Sequence, residues 1–569
     1  TSRGLGDVYK RQVKQWSIVL AAVFIFSLPG CGYEETENLT EETMEKLWQE
    51  AQTTPLGKYP ELVTYTIGRL GTQNRLGMPA EDTYENNNYT RYLRRILNVQ
   101  NKDIFELANV EEYQEKLEFL VGEKNLPDVM LVTDKTLLDW MVEEDLLEDL
   151  SQVYEQCTSE RIKDMYESYG EGLLAEYTYD GKLMAMPGTE VDYGTSMLWL
   201  RKDWMDKLGL AEPQTPEEAY EIIRIFAEEN PGECAEGNVG LAFTLPGQLQ
   251  SDPVFSVQPI FNTVNSFPGI WRKDESGQFV YGSVTPNTRV ALELANHLYM
   301  EGVLDEGFML RTSNNIINLI DTGACGAVCG LWWLPYGYLQ GSRERQGADW
   351  QPYVLCDENN FVRTPSSYEH ISCVVVRKGY EHPEVVPKIL TAFYDYARNA
   401  GSETAEEVNA YRSMSVRPEA LPLTINVDYK DGLFRCTENV KAALDGKVTG
   451  WDEIGVDHLI AEKCRDYLGG DQTDIHAWAT YLARVTAVEK LAQVKIEYVN
   501  EDYPMTRNIK MPDALMRMEE EIFIQVITGE KGLESFDEFV EEWYENGGAA
   551  LTEEVNSLKE QSDRGKGVE

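Results

Sequence analysis

Residues 179–210 read YDGKLMAMPGTEVDYGTSMLWLRKDWMDKLGL. Asp180-Gly181 supplies a hairpin turn, 183–186 predicts a very short strand, and Pro187-Gly188 stops it before a second apolar run over 196–200. Two strands are thereby separated by an open segment. Asp203 is suited to cap the helix that follows, because its carboxylate can accept from the orphan amides of the first turn, and Gly209 can end that helix in a left-handed conformation. A second helix starts at once, since Thr215-Pro216-Glu217-Glu218 is a capping box with proline at the first helical position.

Helix and strand signals alternate on either side of this stretch. Residues 61–69 (ELVTYTIGR) fit a first strand, and a loop ending in Asn86-Asn87-Asn88 leads to a helix over 89–98 with Tyr92, Leu93 and Ile96 on one face. Residues 111–121 are helical by periodicity, and Leu126-Pro127-Asp128 enters a buried strand that ends at Val132. Downstream, an apolar segment at 239–243 is followed by Gly269-Ile270-Trp271, a hairpin over 276–282, and a long helix opened by Thr285-Pro286 and ended by Gly302. From Met511 the chain reads as mainly helical. Ser535-Phe536-Asp537-Glu538 is another capping box, and Phe536, Phe539, Val540 and Trp543 form one stripe. Such alternation argues for parallel β-α-β units and the α/β class.

The short strand, proline break, loop, apolar strand and capped helix of 179–210 resemble the point where family 1 extracellular solute-binding proteins, the maltodextrin type, cross from one lobe to the other. Other runs fall in that family's order: Leu126-Pro127-Asp128 before an apolar strand; Trp271, hairpin, Thr285-Pro286 helix and Glu301-Gly302; then 304–308 (LDEGF), 321–333 (DTGACGAVCGLWW), 371–377 and His382-Pro383-Glu384. Within the family the chain is most similar to the large lipoproteins of ABC importers. The resemblance implies a periplasmic-binding-protein-like fold of type II, two α/β lobes joined by a hinge with a ligand cleft between them. It puts residues 61–188 and 324–372 in lobe 1, 189–323 and 373–555 in lobe 2, and a tail at 556–569, with crossings near 188–196, 329–335 and 367–374.

Residues 1–12 (TSRGLGDVYKRQ) read as a non-native leader, and 13–30 as a lipoprotein signal peptide. Lys14 gives the positive region, 18–26 an apolar region too short to span a bilayer comfortably, and Leu28-Pro29-Gly30-Cys31 a lipobox-like end. Cys31 is then the lipidated residue and 31–60 a tether, which places the protein on the extracytoplasmic face of the cell membrane, as a monomer. The formal charge is -46, and residues 1–30 contribute +3, leaving -49 from Cys31 onward. No basic cluster interrupts that field, so nucleic acid is excluded as a partner.

The cysteines beyond Cys31 are scattered without CxxC pairs or histidines at zinc spacing, so no metal site is expected and most read as buried small apolar residues. The five histidines form no HExxH motif, and neither GxSxG nor a Walker A sequence occurs. Asp428-Tyr429-Lys430-Asp431-Gly432 and Asp357-Glu358-Asn359-Asn360 carry calcium-like residues without full ligand spacing and read as turns. No catalytic residues and no cofactor are assigned.

Sugars present flat C–H faces rimmed by hydroxyls, so a sugar site needs aromatic platforms with a few polar groups beside them. By the resemblance, Trp271, Trp332, Trp333 and Tyr193 fall at cleft-facing elements, with Trp271 and at least one of Trp332 and Trp333 expected to stack on ligand from opposite lobes. Trp199, inside an apolar strand, reads as core. Asn87, Asn88, Asp134 and Glu190 are the candidate hydrogen-bonding partners, and Trp451-Asp452 a further pair from lobe 2. The function implied is capture of a carbohydrate, an oligosaccharide, and delivery to ABC permease subunits. The alternatives are a surface glycan-degrading enzyme and a sensor or adhesion lipoprotein of the same fold.

Overall fold

Two sheets of more than two strands organise this computed structural model, which describes residues 40–565 apart from 71–76, 171, 190, 192, 245–253, 366–371, 415, 417–419, 449, 471–472, 501–508 and 510. Their strands are β1 (Val63–Leu70), β2 (Val99–Leu107), β3 (Val129–Val132), β4 (Met186–Pro187), β5 (Met197–Arg201), β6 (Ala327–Gly330), β7 (Trp350–Tyr353) and β8 (Cys373–Val376).

The first sheet has the order β2-β1-β3-β8-β4. β1 lies parallel to β2 and β3, as the β-α-β pattern predicts, while β8 runs antiparallel to both β3 and β4. The runs VMLV of β3 and CVVV of β8 are buried throughout, the signature of central strands covered on both faces. The helix Asn88–Leu97 packs beside β2 and buries Tyr89, Tyr92, Leu93 and Leu97 in the same core. Asn87 starts it with a reciprocal capping box to Thr90 and Asn98 ends it in the left-handed conformation.

In the second sheet β5 is central, with β6 and β7 antiparallel on its two sides. Ala327 pairs with Leu200, and Trp350 with Arg201. One face packs a core built on Leu198, Leu200, Trp271, Tyr281 and Trp543, and the other a core of Trp199, Trp332, Trp350 and Trp478.

These pairings correct the expected lobe boundaries. Segment 324–372, expected in lobe 1, contains β6 and β7, which hydrogen-bond to β5 of the second lobe. Conversely, Cys373 to Val427, expected in lobe 2, supply β8 and a large part of the first lobe's core. The physical reason is that a four-residue run buried on both faces carries no alternation, so AVCG and CVVV look alike in sequence and only long-range pairing assigns them. The expected tether also joins the first lobe from Leu47 on, burying Ala51 and Tyr59. At the other end, the expected tail belongs to the helix Ala549–Gly565, whose Asn556 accepts from the Phe279 amide at 2.8 Å.

Crossings are corrected in the same way. The chain leaves the first sheet at Pro187 and enters the second at Met197, whereas 329–335 stays inside the second lobe, where β6 runs into the turn Leu334–Tyr336. A crossing that sequence reading took for a turn lies between Val427 of the first core and Leu433 of the next. Part of the expected 367–374 crossing lies outside the described residues. What is described laces the connections together: the Gly188 amide donates to the Ser372 carbonyl, the Thr189 amide to the Asn426 carbonyl, and the Asp428 amide to Thr189 Oγ1, each at 2.8 Å.

Local punctuation near the first crossing largely holds. Gly209 ends the helix Lys202–Leu208 at φ 69°, and Thr215 accepts from the Glu218 amide at 3.2 Å. Asp203, however, sits inside the first turn and grips Arg201 at 2.7 Å instead of capping. The box at Ser535 is likewise absent, because the helix Glu534–Trp543 begins one residue earlier.

Candidate ligand-binding cleft

A cavity of about 660 Å³ separates the first lobe from the second. The first lobe lines it with Arg161 and Met165 from the helix Glu160–Glu167, Arg398 from the short helix Ala397–Asn399, and Arg412 from Glu406–Ser413. Val191 and Tyr193 enter from the first crossing, Asp428 and Tyr429 from the crossing that sequence reading missed. The second lobe contributes Trp332, Trp451, Asp457 and Arg484, together with Leu433, Cys436 and Asn439 on the helix Gly432–Leu444.

Five arginines share the wall with five carboxylates, and each arginine is held differently. Arg398 pairs with Asp428 at 2.8 Å and lies over the Tyr394 ring, its carbon 5.0 Å from the centroid. Arg161 is engaged by Asp395 at 3.0 Å. Arg484 lies over the Trp332 ring at 4.4 Å, a cation–π arrangement that fixes both. Burial works against the Arg484 charge, but Cys436, Tyr336 and Asp457 outweigh it and hold the guanidinium above its ordinary value. Arg412 donates to the Ala397 carbonyl at 3.0 Å and to Asn409 Oδ1 at 2.8 Å. No ion pair to a carboxylate is found for it among the described residues, and burial, then the Arg398 charge, lower its pKa to about 10.

The lobes also touch across the cleft. Val456 donates its amide to the Arg398 carbonyl at 2.8 Å, and Gly455 next to it has φ 55°. A Cβ at Gly455 would stand 2.5 Å from that carbonyl oxygen, so both the backbone angle and the close approach require glycine.

Of the residues singled out in sequence, the structure brings Tyr193 and Trp332 into this cleft, their ring centroids 6.2 Å apart. Trp451 and Asp452 line it too. Trp271 does not: it is 4 % exposed, paired with Tyr281 at 5.1 Å inside the second lobe's core, in the layer closed by Trp543. Its hairpin, Trp271–Lys273 with Phe279–Tyr281, packs that ring inward, so the stacking expected from opposite lobes is corrected. Trp333 leans on Tyr338 at 6.0 Å away from the cavity lining, and Trp199 is core, its indole donating to the Gly330 carbonyl at 3.1 Å. Asn87 and Asp134 are helix caps and Asn88 accepts from Arg91, so all three serve local structure and none lines the cleft. Glu190 and Cys31 lie outside the described residues.

The cleft arginines escaped sequence reading because they sit on separate helices without a shared spacing. The one available signal was Arg484 inside the otherwise apolar run 477–488. The eight described cysteines are free thiols, and burial pushes Cys325, Cys373 and Cys464 up to about 12. No group of three metal-ligating side chains occurs among the described residues, nor any helix long and apolar enough to cross a membrane. At 357–360, Asp357 Oδ1 accepts from the Asn359 and Phe361 amides, an ordinary Asx turn.

No protein-family model matches the chain. In sequence it is similar to the polygalacturonan/rhamnogalacturonan-binding protein YtcQ of Bacillus subtilis (strain 168), 26% identical over 157 residues, which is 27% of this chain and 29% of YtcQ. It is also similar to lipoprotein LipO of the same organism, 21% identical over 399 residues, covering 69% of this chain and 74% of LipO. In structure it is similar to an HMO-binding, ABC-transporter-associated solute-binding protein from Bifidobacterium longum infantis, with a TM-score of 0.54, 12% identity, and coverage of 88% of this chain and 98% of that one. The fold is therefore that of the two-lobed α/β solute-binding proteins, type II.

Proposed function

We propose that this chain is the substrate-capturing lipoprotein of an ABC importer, a member of the family 1 extracellular solute-binding proteins, holding a carbohydrate between its lobes for a membrane permease. The observation that carries this is the inter-lobe cavity of about 660 Å³, walled by Tyr193, Trp332, Tyr429 and Trp451 and by hydrogen-bonding side chains from both lobes. Aromatic faces beside polar groups suit a sugar, and the volume is that of a small-ligand site. YtcQ and the Bifidobacterium protein are both named for the glycans they bind, and LipO for its lipid, which supports carbohydrate cargo and an anchor at Cys31. Contacts made by both lobes favour the state in which they touch, and a permease can recognise that state. None of the three similar proteins is named as an enzyme, which supports binding without turnover.

Thermal-shift screening of the chain from residue 32 against neutral and acidic oligosaccharides tests this, with Trp332→Ala alongside. A sugar that raises the melting temperature of the parent, and binds Trp332→Ala about ten- to a hundredfold more weakly, is the expected outcome. Release of new reducing ends from that sugar would replace the reading with a glycan-degrading enzyme.

A further inference from the structure

The inner wall of the cleft is short of acceptors. Trp332 Nε1, Trp451 Nε1 and Arg484 Nε are buried without hydrogen-bond partners among the described residues, and all three groups are donors. Among the described residues, Arg412 donates to a backbone carbonyl and an amide oxygen and to no carboxylate. Charge points the same way. Away from the exposed rim of Glu438, Asp452 and Glu453, the cavity is lined by Arg398, Arg412 and Arg484 against Asp428 and Asp457, and Asp428 is already taken by Arg398. Arg161 and Arg435 are held by Asp395 and Asp431, neither of which lines the cavity.

Buried donors without acceptors, and guanidinium groups with no carboxylate in ion-pair contact among the described residues, are costly until a ligand supplies the missing oxygens, and a planar oxyanion does so best. Resting on the carbohydrate reading above, we infer that the saccharide this cleft takes carries a carboxylate, held by Arg412 from the first lobe and Arg484 from the second. The chain's net charge of -46 does not oppose this once the sugar is seated. Exposed acidic groups are screened beyond about 8–10 Å at physiological ionic strength and act on encounter rate, whereas the half-buried arginines act at contact distance.

The test compares ligands that differ in charge alone. The full chain is titrated by calorimetry with short oligomers of galacturonate, glucuronate and mannuronate, with the methyl ester of each, and with neutral oligosaccharides of equal length. The free acid of at least one series is expected to bind about tenfold or more tightly than its ester, the scale of one charge-assisted hydrogen bond. Arg412→Gln and Arg484→Gln are each expected to abolish that preference. Arg289→Gln, which removes an exposed partner of Asp537 elsewhere on the second lobe, should keep it. Arg412→Lys retains the charge and guards against a folding defect, so it should keep part of the preference. Neutral sugars or esters binding as tightly as the acids would overturn this inference and leave the carbohydrate reading standing. Failure of every saccharide to bind would overturn both.

Discussion

Glu519, on the helix Asp513–Ile527, gives the second lobe a pH dependence whose sign and size follow from its surroundings. It is buried beneath the Tyr281–Trp543 stack, where Ser283 Oγ donates to one carboxyl oxygen at 2.7 Å and the Tyr281 hydroxyl to the other at 3.2 Å. Burial nevertheless dominates these two bonds and raises the group from 4.5 to about 7. A carboxyl whose folded pKa is raised binds its proton more tightly in the folded state. Its contribution is therefore fully present below about 4.5 and is lost as pH rises through about 7. A difference of about 2.5 units corresponds to roughly 3 kcal/mol between those limits. Glu519→Gln keeps the shape and can still hydrogen-bond both hydroxyls without carrying a charge. At pH 5 it should melt close to the parent, and at pH 8 it should melt higher by up to roughly 6–12 °C, given about 2–4 °C per kcal/mol for a unit of this size. Melting followed by tryptophan fluorescence in half-unit steps from pH 5 to 8 reads this directly. Parallel curves for parent and variant across that range would refute the reasoning, as would a variant that is less stable at pH 8.

Trp271→Ala should cost about 3–5 kcal/mol of stability, measured as a lower unliganded melting temperature, while leaving the dissociation constant of any bound sugar unchanged below the melt. Gly455→Ala, at φ 55° and against the Arg398 carbonyl, should weaken ligand binding by about 1–2 kcal/mol through the inter-lobe contact, and an unchanged affinity by calorimetry would count against that contact. Cys31→Ala should move the protein from the membrane to the soluble fraction of expressing cells, because multiple acyl chains hold firmly where none remain.

What sequence reading recovered was mostly local. Gly209 and Thr215 announce their helix ends through backbone conformation and capping chemistry, which neighbouring residues decide, and the strand β1 follows from alternation within eight residues. Membership of a sheet is different. β6 and β8 have the same length and the same fully buried pattern, and only pairing with Leu200 or Val132 separates them. The same holds for tryptophans: Trp271 and Trp332 are equally plausible platforms in sequence, but one faces Tyr281 in a core and the other Arg484 at a cavity. Tyr193 and Trp332 reached the cleft because the resemblance tied them to a crossing and to a strand end. Arg161, Arg398 and Arg412 had no such tie, since helices far apart in the chain meet there only after folding.

Asp428 shows why the missed crossing matters to how the cleft works. Its backbone amide is tied to Thr189 on the first crossing while its carboxylate holds Arg398 on the cavity wall, so hinge and cleft share one residue. One contact between the lobes across the cleft, Val456 to the Arg398 carbonyl, is a neutral hydrogen bond worth about 1 kcal/mol, or roughly fivefold in an equilibrium. Moving a two-state equilibrium from 1:99 to 99:1 takes about 5.5 kcal/mol. That bond therefore biases the lobes without locking them, and most of the difference has to come from a ligand touching both walls. Arg412 on one side and Arg484 with Trp332 on the other are placed to receive such contacts. A ligand reaching only one wall would bind both states alike and leave the equilibrium where it stood.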